Sequence, residues 1–293
     1  MDDKLHQQEE KIQRILERIK ALPTLSVVVA RVIQVVSNPL TSASDLSSII
    51  MVDQALTAKV LRLANSAFYG FPFRIKNITQ AVSILGFDTI RNLALTVSVH
   101  KIFTGDDRNA FFSHQEFWKH SVGVALCCSL LAKKIKYKSH ESAFTAGLLH
   151  DIGKTFFEQY MHEEFVMALK DSAEKKIPLY QAEMQIIGID HQAVGRIMAE
   201  KWNLPHELQA GINFHHHPED EQEENVMATI VNVANSLCNK KGLGNSGDTA
   251  ILPLSGEARA LLNLDEKAEE EDPNIIDFDD ENPDDDEEDD ENV

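Results

Sequence analysis

Residues 149–154 place an imidazole and a carboxylate next to one another, at His150 and Asp151, within an apolar helical run. Ionisable side chains in such a run need a partner, and neutral imidazole and carboxylate are both favoured ligands of zinc, iron and manganese. The pair therefore predicts a divalent metal site, with Fe, Mn or Zn as the candidate ions. The alternative is a hydrogen-bonded histidine in an ordinary helical core.

Other histidines are candidate co-ligands, although some proximity in sequence is expected in a chain with 12 His. Two groups also have simpler explanations. Glu116 and His120 are four residues apart and can pair with one another on one helical face. The histidine run before Pro218 can be favoured by the dipole at the C-terminus of a helix. The candidates are Glu116, His120, His191 and the run His215, His216 and His217.

Several helices must bring these residues together. Apolar residues recur with a helical period along most of the chain. No segment alternates with period two for long enough to indicate a sheet, so the predicted fold class is all-α. The helices expected to carry or flank the candidate ligands cover residues 116–134, 141–149, 156–173, 191–202, 205–217 and 226–237.

The composition is typical of a globular helical protein. The chain has 293 residues, is 43% hydrophobic and contains only 13 Gly and 9 Pro. No run of about 18 uninterrupted apolar residues occurs, and the first residues lack the basic-then-apolar pattern of a secretion signal. We therefore expect a cytoplasmic protein that does not enter a membrane. The three cysteines form no CxxC pattern and are expected to be small core residues.

The net charge of −19 is concentrated at one end of the chain. Residues 265–293 contain 18 acidic residues and one Lys, which leaves residues 1–264 nearly neutral. With so little apolar surface, this tail is predicted to be disordered and solubilising. Within it, the Ile-Ile-Asp-Phe sequence at residues 275–278 is a candidate docking motif. The nearly neutral body argues against nucleic-acid binding.

An aromatic loop follows two short predicted helices. The second of these carries Lys59 and Arg62, which would suit a helix-turn-helix DNA reader, but adjacent short helices are common in all-α domains. Residues 66–73 contain a Gly and a Pro, which is typical of a loop. Their sequence is Ser-Ala-Phe-Tyr-Gly-Phe-Pro-Phe. The loop is either a plug over the core or a partner-binding surface, and we expect the plug.

The run Lys-Val-Leu-Arg-Leu-Ala-Asn-Ser-Ala-Phe-Tyr-Gly at residues 59–70, with Ile-Thr-Gln-Ala-Val at 78–82 and Leu-Gly at 85–86, resembles the N-terminal half of the HDOD family. That family comprises bacterial signalling proteins related to HD-domain metal phosphohydrolases. The resemblance covers roughly residues 22–262. It implies a helical N-terminal lobe, residues 1–108, packed on an HD-like helical lobe, residues 109–264, followed by the tail.

The resemblance also implies a ligand set. In the HD superfamily a His, a His-Asp pair and a later Asp hold the metal, and HD-GYP phosphodiesterases add a Glu, a further His and a His-His pair. On this chain the first His corresponds to His120 and the pair to His150 and Asp151. The later Asp corresponds to Asn235, whose neutral oxygen should weaken one metal position. Lys154 would steady a phosphate and, with Asp151, is a candidate catalytic residue. The added positions fall on Glu116, His191, His215 and His216.

Two functions are compatible with these residues. One is a signalling module that acts through protein or ligand binding and keeps a degenerate or partial metal site. The other is a metal-dependent phosphohydrolase or phosphodiesterase that acts on a nucleotide or other phosphoester, with Asp151 bridging two ions. The module is favoured by Asn235 and by His217-Pro218-Glu219, which stands in place of the Gly-Tyr-Pro signature of cyclic di-GMP enzymes. We expect a signalling protein as its partner.

Overall fold

A computed structural model describes residues 15, 17, 25–103, 112–223, 225–250, 254 and 256–262. The regular structure of these residues is helical and includes no β-strand, which confirms the all-α prediction. No helix in these ranges is both long and apolar enough to cross a bilayer. The acidic tail, residues 265–293, and its candidate docking motif lie outside the described residues.

The N-terminal group of helices packs as a small bundle. Helix α1 contacts α2 and α5, α2 contacts α4, and α3 contacts α5. Side-chain caps fix several helix starts, since Ser42 and Asp45 form a capping box at α2 and Asp53 accepts from the backbone of Leu56 at α3. The group consists of α1 (Val27–Val36), α2 (Ala43–Met51), α3 (Gln54–Ala64), α4 (Ile78–Leu85) and α5 (Phe87–Phe103).

The second group surrounds α7, which packs on α5, α6, α12 and α13. Helix α8 packs on α9 and α11. The predicted lobe boundary near residue 108 falls within residues 104–111, outside the described ranges, so the division into lobes stays a prediction. The members are α6 (His114–Lys134), α7 (His140–Leu149), α8 (Ile152–Tyr160), α9 (His162–Lys175), α10 (Leu179–Ile186), α11 (His191–Lys201), α12 (His206–Asn213), a 3₁₀ turn (Pro218–Asp220), α13 (Asn225–Lys240) and α14 (Gly256–Leu262).

Two predicted helices differ in the structure. The single helix expected over residues 156–173 is broken at Met161, whose φ of −139° and ψ of 41° leave the helical region. The break turns the chain so that the rings of Phe157 and Phe165 pack 5.9 Å apart in the core. The helix expected over residues 205–217 ends at Asn213, and the histidine run lies in the turn that follows. Periodicity did not predict the first change, because apolar residues continue through the break. The second helix was expected to continue up to Pro218, and it ends about one turn earlier.

The aromatic loop at residues 66–73 combines both expected roles. At its start, Phe68 packs on Phe144 of α7, with the ring centroids 5.5 Å apart. At its end, Phe73 is 50% exposed. The first half of the loop is therefore a plug, as predicted, whereas the second half presents an aromatic side chain to solvent.

Asn65, the asparagine of the Leu-Ala-Asn-Ser run, has a structural role, because its side chain closes this loop. Its Nδ2 donates to the carbonyls of Leu61 (2.8 Å) and Ile75 (2.9 Å), and its Oδ1 accepts from the amide of Ile75 (2.8 Å). A side-chain amide is both donor and acceptor, which is what the two backbone groups of Ile75 require. Asn65 thus ends α3 and ties the two ends of the loop together.

Replacing Asn65 with Ala should lower the free energy of unfolding by about 2 kcal/mol, because two loop hydrogen bonds are lost and buried backbone groups lose a partner. Urea denaturation followed by circular dichroism measures this. Asn38→Ala is the matched control, since the exposed Asn38 side chain only accepts from Leu40, and its effect should stay within about 0.5 kcal/mol. Equal effects of the two substitutions would contradict the role of Asn65.

Candidate metal centre

His150 and Asp151 lie at the junction of α7 and α8, and both are fully buried. His150 directly follows α7, and Asp151 directly precedes α8. The junction packs closely on α11, because a Cβ atom at Gly153 would overlap the carbonyl oxygen of His191. This close approach, which requires a glycine, brings His191 to Asp151.

Asp151 is the common neighbour of three histidines. Its Oδ1 lies 3.2 Å from Nε2 of His191 and 3.5 Å from Nε2 of His215. Its Oδ2 lies 3.2 Å from Nε2 of His150. The two carboxylate oxygens therefore face two different sets of imidazoles.

These sets are two groups of three residues, each with ligand atoms close enough to hold one metal ion. One group is His120, His150 and Asp151. In the other, Nε2 of His191 lies 3.3 Å from Nε2 of His215 and 3.2 Å from Nε2 of His216. The structure thus brings histidines from segments far apart in the chain to Asp151.

Hydrogen bonds on the far side of each ring orient the imidazoles. Nδ1 of His150 is 2.7 Å from the carbonyl of Gly147, and Nδ1 of His215 is 2.9 Å from the carbonyl of Ile212. A carbonyl only accepts, so each Nδ1 carries a proton, and in the neutral ring, the form that binds a metal, each Nε2 presents its lone pair. His191 is held in the same way, with Nδ1 2.6 Å from a carboxylate oxygen of Glu183. This is the support that metal-ligating histidines usually have.

The residues fit a divalent ion. Lone pairs and a carboxylate oxygen that face one another in a buried site repel unless a cation lies among them. Both ring nitrogens of His120, Nε2 of His150 and Oδ1 of Asp151 are buried without a hydrogen-bond partner in the described structure, which is rare for buried polar atoms. Imidazole nitrogens with a carboxylate suit Zn, Fe or Mn. Such an ion, when bound, supplies Lewis acidity toward water and phosphoester oxygens.

Lys154 is buried beside this cluster. Its ammonium donates to Oδ2 of Asp151 (2.8 Å), to Oδ2 of Asp248 (2.8 Å) and to the carbonyl of Ser246 (3.1 Å). Burial alone would lower the pKa of Lys154, but the two carboxylates raise it above its usual value. Burial would likewise raise the pKa of Asp151, but the ammonium of Lys154 holds it well below its usual range. Lys154 is therefore a buried cation that keeps Asp151 ionised.

Glu116 is placed differently from the prediction, whereas Asn235 is buried and bonded to a neighbour on α13. The carboxylate of Glu116 is 42% exposed and pairs with Lys119 at 2.6 Å, so the structure does not bring it to the histidines. The pairing with His120 considered from the sequence is not formed either, since Glu116 is near the start of α6 and turns outward. Asn235 is buried, and its Oδ1 accepts from Nδ2 of Asn239 at 3.1 Å.

Two carboxylates of the centre were missed from the sequence. Glu183 supports His191, and Asp248 supports Lys154, where it also accepts from the amide of Leu179 at 3.1 Å. Nothing in the spacing of Glu183 distinguishes it from other helical acids. The signal for Asp248 is the glycine-rich loop before it, because a Cβ atom at Gly244 would overlap backbone atoms of His120. The loop therefore packs against α6 and carries a carboxylate into the site.

Comparison with known proteins assigns the family. The model of the HDOD domain family matches residues 22–218, so the chain belongs to the HDOD family. An uncharacterized protein of Treponema pallidum is 27% identical over 225 residues, which are 75% of this chain and 43% of that protein. The chain thus spans less than half the length of that relative.

Solved structures share the fold. An HDOD domain protein of unknown function from Geobacter sulfurreducens is 28% identical, with a TM-score of 0.71 over 92% of this chain and 95% of that one. A candidate phosphohydrolase from Shewanella amazonensis is 25% identical, with a TM-score of 0.65 over 85% of this chain and 93% of that one. A candidate signal transduction protein from Marinobacter aquaeolei, 23% identical with a TM-score of 0.68 over 90% of this chain and 61% of that one, shows the fold alone.

The contact of Gly153 with α11 leads to a prediction. Gly153→Ala should lower the free energy of unfolding by about 1–3 kcal/mol, because the added methyl group pushes α8 away from the His191 backbone. Thermal and urea denaturation of the metal-free protein measure this. Gly256→Ala, at an exposed helical glycine with open space around it, should be neutral or stabilising by up to about 1 kcal/mol. A neutral Gly153→Ala would contradict the close approach.

Proposed function

We propose that this chain is a regulatory HDOD module that holds a divalent metal in a closed centre and acts through protein or ligand binding rather than turnover. The observation that carries the proposal is burial: His120, His150, Asp151, His191 and His215 have no accessible surface. Closed metal sites are typically structural, whereas catalytic sites keep an open coordination position. The expected partner is a signalling protein, and the cytoplasm is the expected location.

The contacts of Lys154 also support a module. In a phosphoesterase this lysine would offer an N–H to a phosphate oxygen, as the sequence suggested. Its three N–H groups already have three acceptors, and turning one of them away would leave a buried carboxylate or carbonyl without its donor. This favours a positioning role, in which Lys154 fixes Asp151 between the two sets of imidazoles.

Metal in this centre would join elements that are far apart in the chain. The turn after α12 supplies His215 and His216, α11 supplies His191, α6 supplies His120, and the α7–α8 junction supplies Asp151. Binding to the folded state alone stabilises that state in proportion to the logarithm of ligand concentration. Metal occupancy would thereby raise the stability of the second group of helices.

His216 favours a second candidate, a metal-dependent phosphohydrolase. Its side chain is partly exposed, so one edge of the centre reaches the surface. Asp151 faces both groups of ligands, as a bridging carboxylate does in two-metal phosphoesterases. The Shewanella amazonensis relative that is named as a candidate phosphohydrolase is 25% identical to this chain. The substrate would then be a nucleotide or another phosphoester.

Metal analysis tests the centre. Protein purified without a histidine tag from medium containing Fe, Mn and Zn should hold about one to two ions per chain. Asp151→Asn should remove at least one of them and lower the melting temperature, because it takes away the charged oxygen shared by both groups. His206→Ala, at an exposed histidine of α12, is the matched control and should keep both the metal and the melting temperature.

An activity screen separates the two candidates. The metal-loaded protein should not hydrolyse bis(p-nitrophenyl) phosphate, nucleoside phosphates or cyclic dinucleotides. Turnover that Asp151→Asn abolishes and His206→Ala retains would overturn the module in favour of the phosphohydrolase. Wild-type protein without bound metal would contradict both candidates.

A further inference from the structure

A basic aromatic patch lies on the N-terminal group of helices, remote in sequence from the metal ligands. It is the groove of about 1000 Å³ whose wall includes Arg62 of α3 and the end of the aromatic loop with Phe71, Phe73, Arg74 and Lys76. The proposed metal function does not use this surface.

The cations of the patch are available. Arg62, Arg74 and Lys76 are exposed and have no carboxylate partner within the described residues. Residues 25–103 contain seven Lys and Arg but only three Asp and Glu, so this half of the body is basic. Unpaired cations around a groove create a positive potential that attracts an anionic partner.

A series of aromatic rings leads into the patch, which Phe71 and Phe73 line. The rings of Tyr69 and Phe71 stack with centroids 6.4 Å apart, and those of Phe71 and Phe73 lie 5.6 Å apart. The series leads from the core to the surface, where Phe73 is half exposed. Exposed aromatic side chains rimmed by polar residues are typical of binding surfaces.

The chain itself carries a matching ligand. Its tail, residues 265–293, has 18 acidic residues and one Lys, and the Ile-Ile-Asp-Phe sequence at 275–278 is an apolar segment flanked by acids on both sides. We propose that residues 275–278 dock on the basic aromatic patch of the same chain, with their apolar side chains on Phe71 and Phe73 and the flanking carboxylates paired with Arg62, Arg74 and Lys76.

The linker between the described chain and the motif is comparable in length to the body. The described chain ends at Leu262, and the dozen residues before the motif span up to about 40 Å when extended. A body of this size has a radius of gyration of about 18 Å. Tethering also gives the motif an effective concentration in the millimolar range. Weak individual contacts are therefore sufficient, and the tail would compete with any acidic protein partner for the patch.

Paramagnetic relaxation in the full-length protein tests the docking. The three native cysteines are buried, so a nitroxide can be attached selectively to Asn282→Cys. At low salt the label should reduce the amide signals of residues 71–76 at least twofold relative to those of α9. Raising the salt to about 1 M, where the Debye length is about 3 Å, should restore much of the signal.

Variants make the test specific. Arg62→Glu with Arg74→Glu should abolish the broadening, and so should Ile276→Ser with Phe278→Ser. Lys134→Glu with Lys138→Glu makes the same charge change at exposed lysines outside the patch and should retain it. Broadening spread evenly over the surface, or unchanged in the patch variant, would overturn the proposal.

Two further outcomes would assign the patch to another occupant. Broadening seen when unlabelled ¹⁵N protein is mixed with spin-labelled ¹⁴N protein would mean that the tail reaches a second copy instead. The second outcome is that a single-stranded oligonucleotide binds at residues 71–76 while the nitroxide never broadens the signals of these residues. The patch would then be a nucleic-acid surface. Either result would overturn docking within one chain.

Discussion

The ionised carboxylate of Asp151 is the constraint on which the rest of the second helix group depends. It is buried without access to water, so its charge must be balanced inside the protein. Lys154 balances it from one side. On its other sides lie the Nε2 atoms of His150, His191 and His215. In neutral rings their lone pairs add negative potential at the carboxylate, and a further cation would balance it. Carbonyl groups behind His150 and His215 fix that orientation.

The surrounding fold meets this constraint with close helix packing. Gly153 lets α8 approach the backbone of α11, and Gly244 lets a loop approach α6. The same loop brings Asp248 to Lys154, and hydrogen bonds from Ser246 to Asn239 and from Asn239 to Asn235 connect it to α13. The family resemblance implied a metal ligand at Asn235, but the amide of this residue helps to hold the loop. The carboxylate of Asp248 enters the site beside Lys154 instead.

Much of the fold followed from the sequence because helical periodicity and capping are local properties. Helix α3 begins after Asp53 and ends before Asn65, as expected. The break at Met161 was missed because apolar residues continue the helical pattern through it. The early end of α12 was missed because the histidine run was assigned to the helix up to Pro218. The convergence of His120, His150, His191 and His215 came from the family resemblance rather than from spacing. Glu183 could not be predicted, since its role depends on which helix packs beside a ligand. Asp248 had one signal, the glycine-rich loop before it, which did not enter the prediction.

The most direct test of the central claim, that a cation belongs among these lone pairs, is anomalous diffraction from crystals grown with Fe, Mn and Zn. We expect an anomalous peak about 2.0–2.3 Å from Nε2 of His191 and of His215, with Asp151 Oδ1 near enough to bind the same ion. If such crystals show only water at this position, with each Nε2 hydrogen-bonded to it, the site does not require a cation.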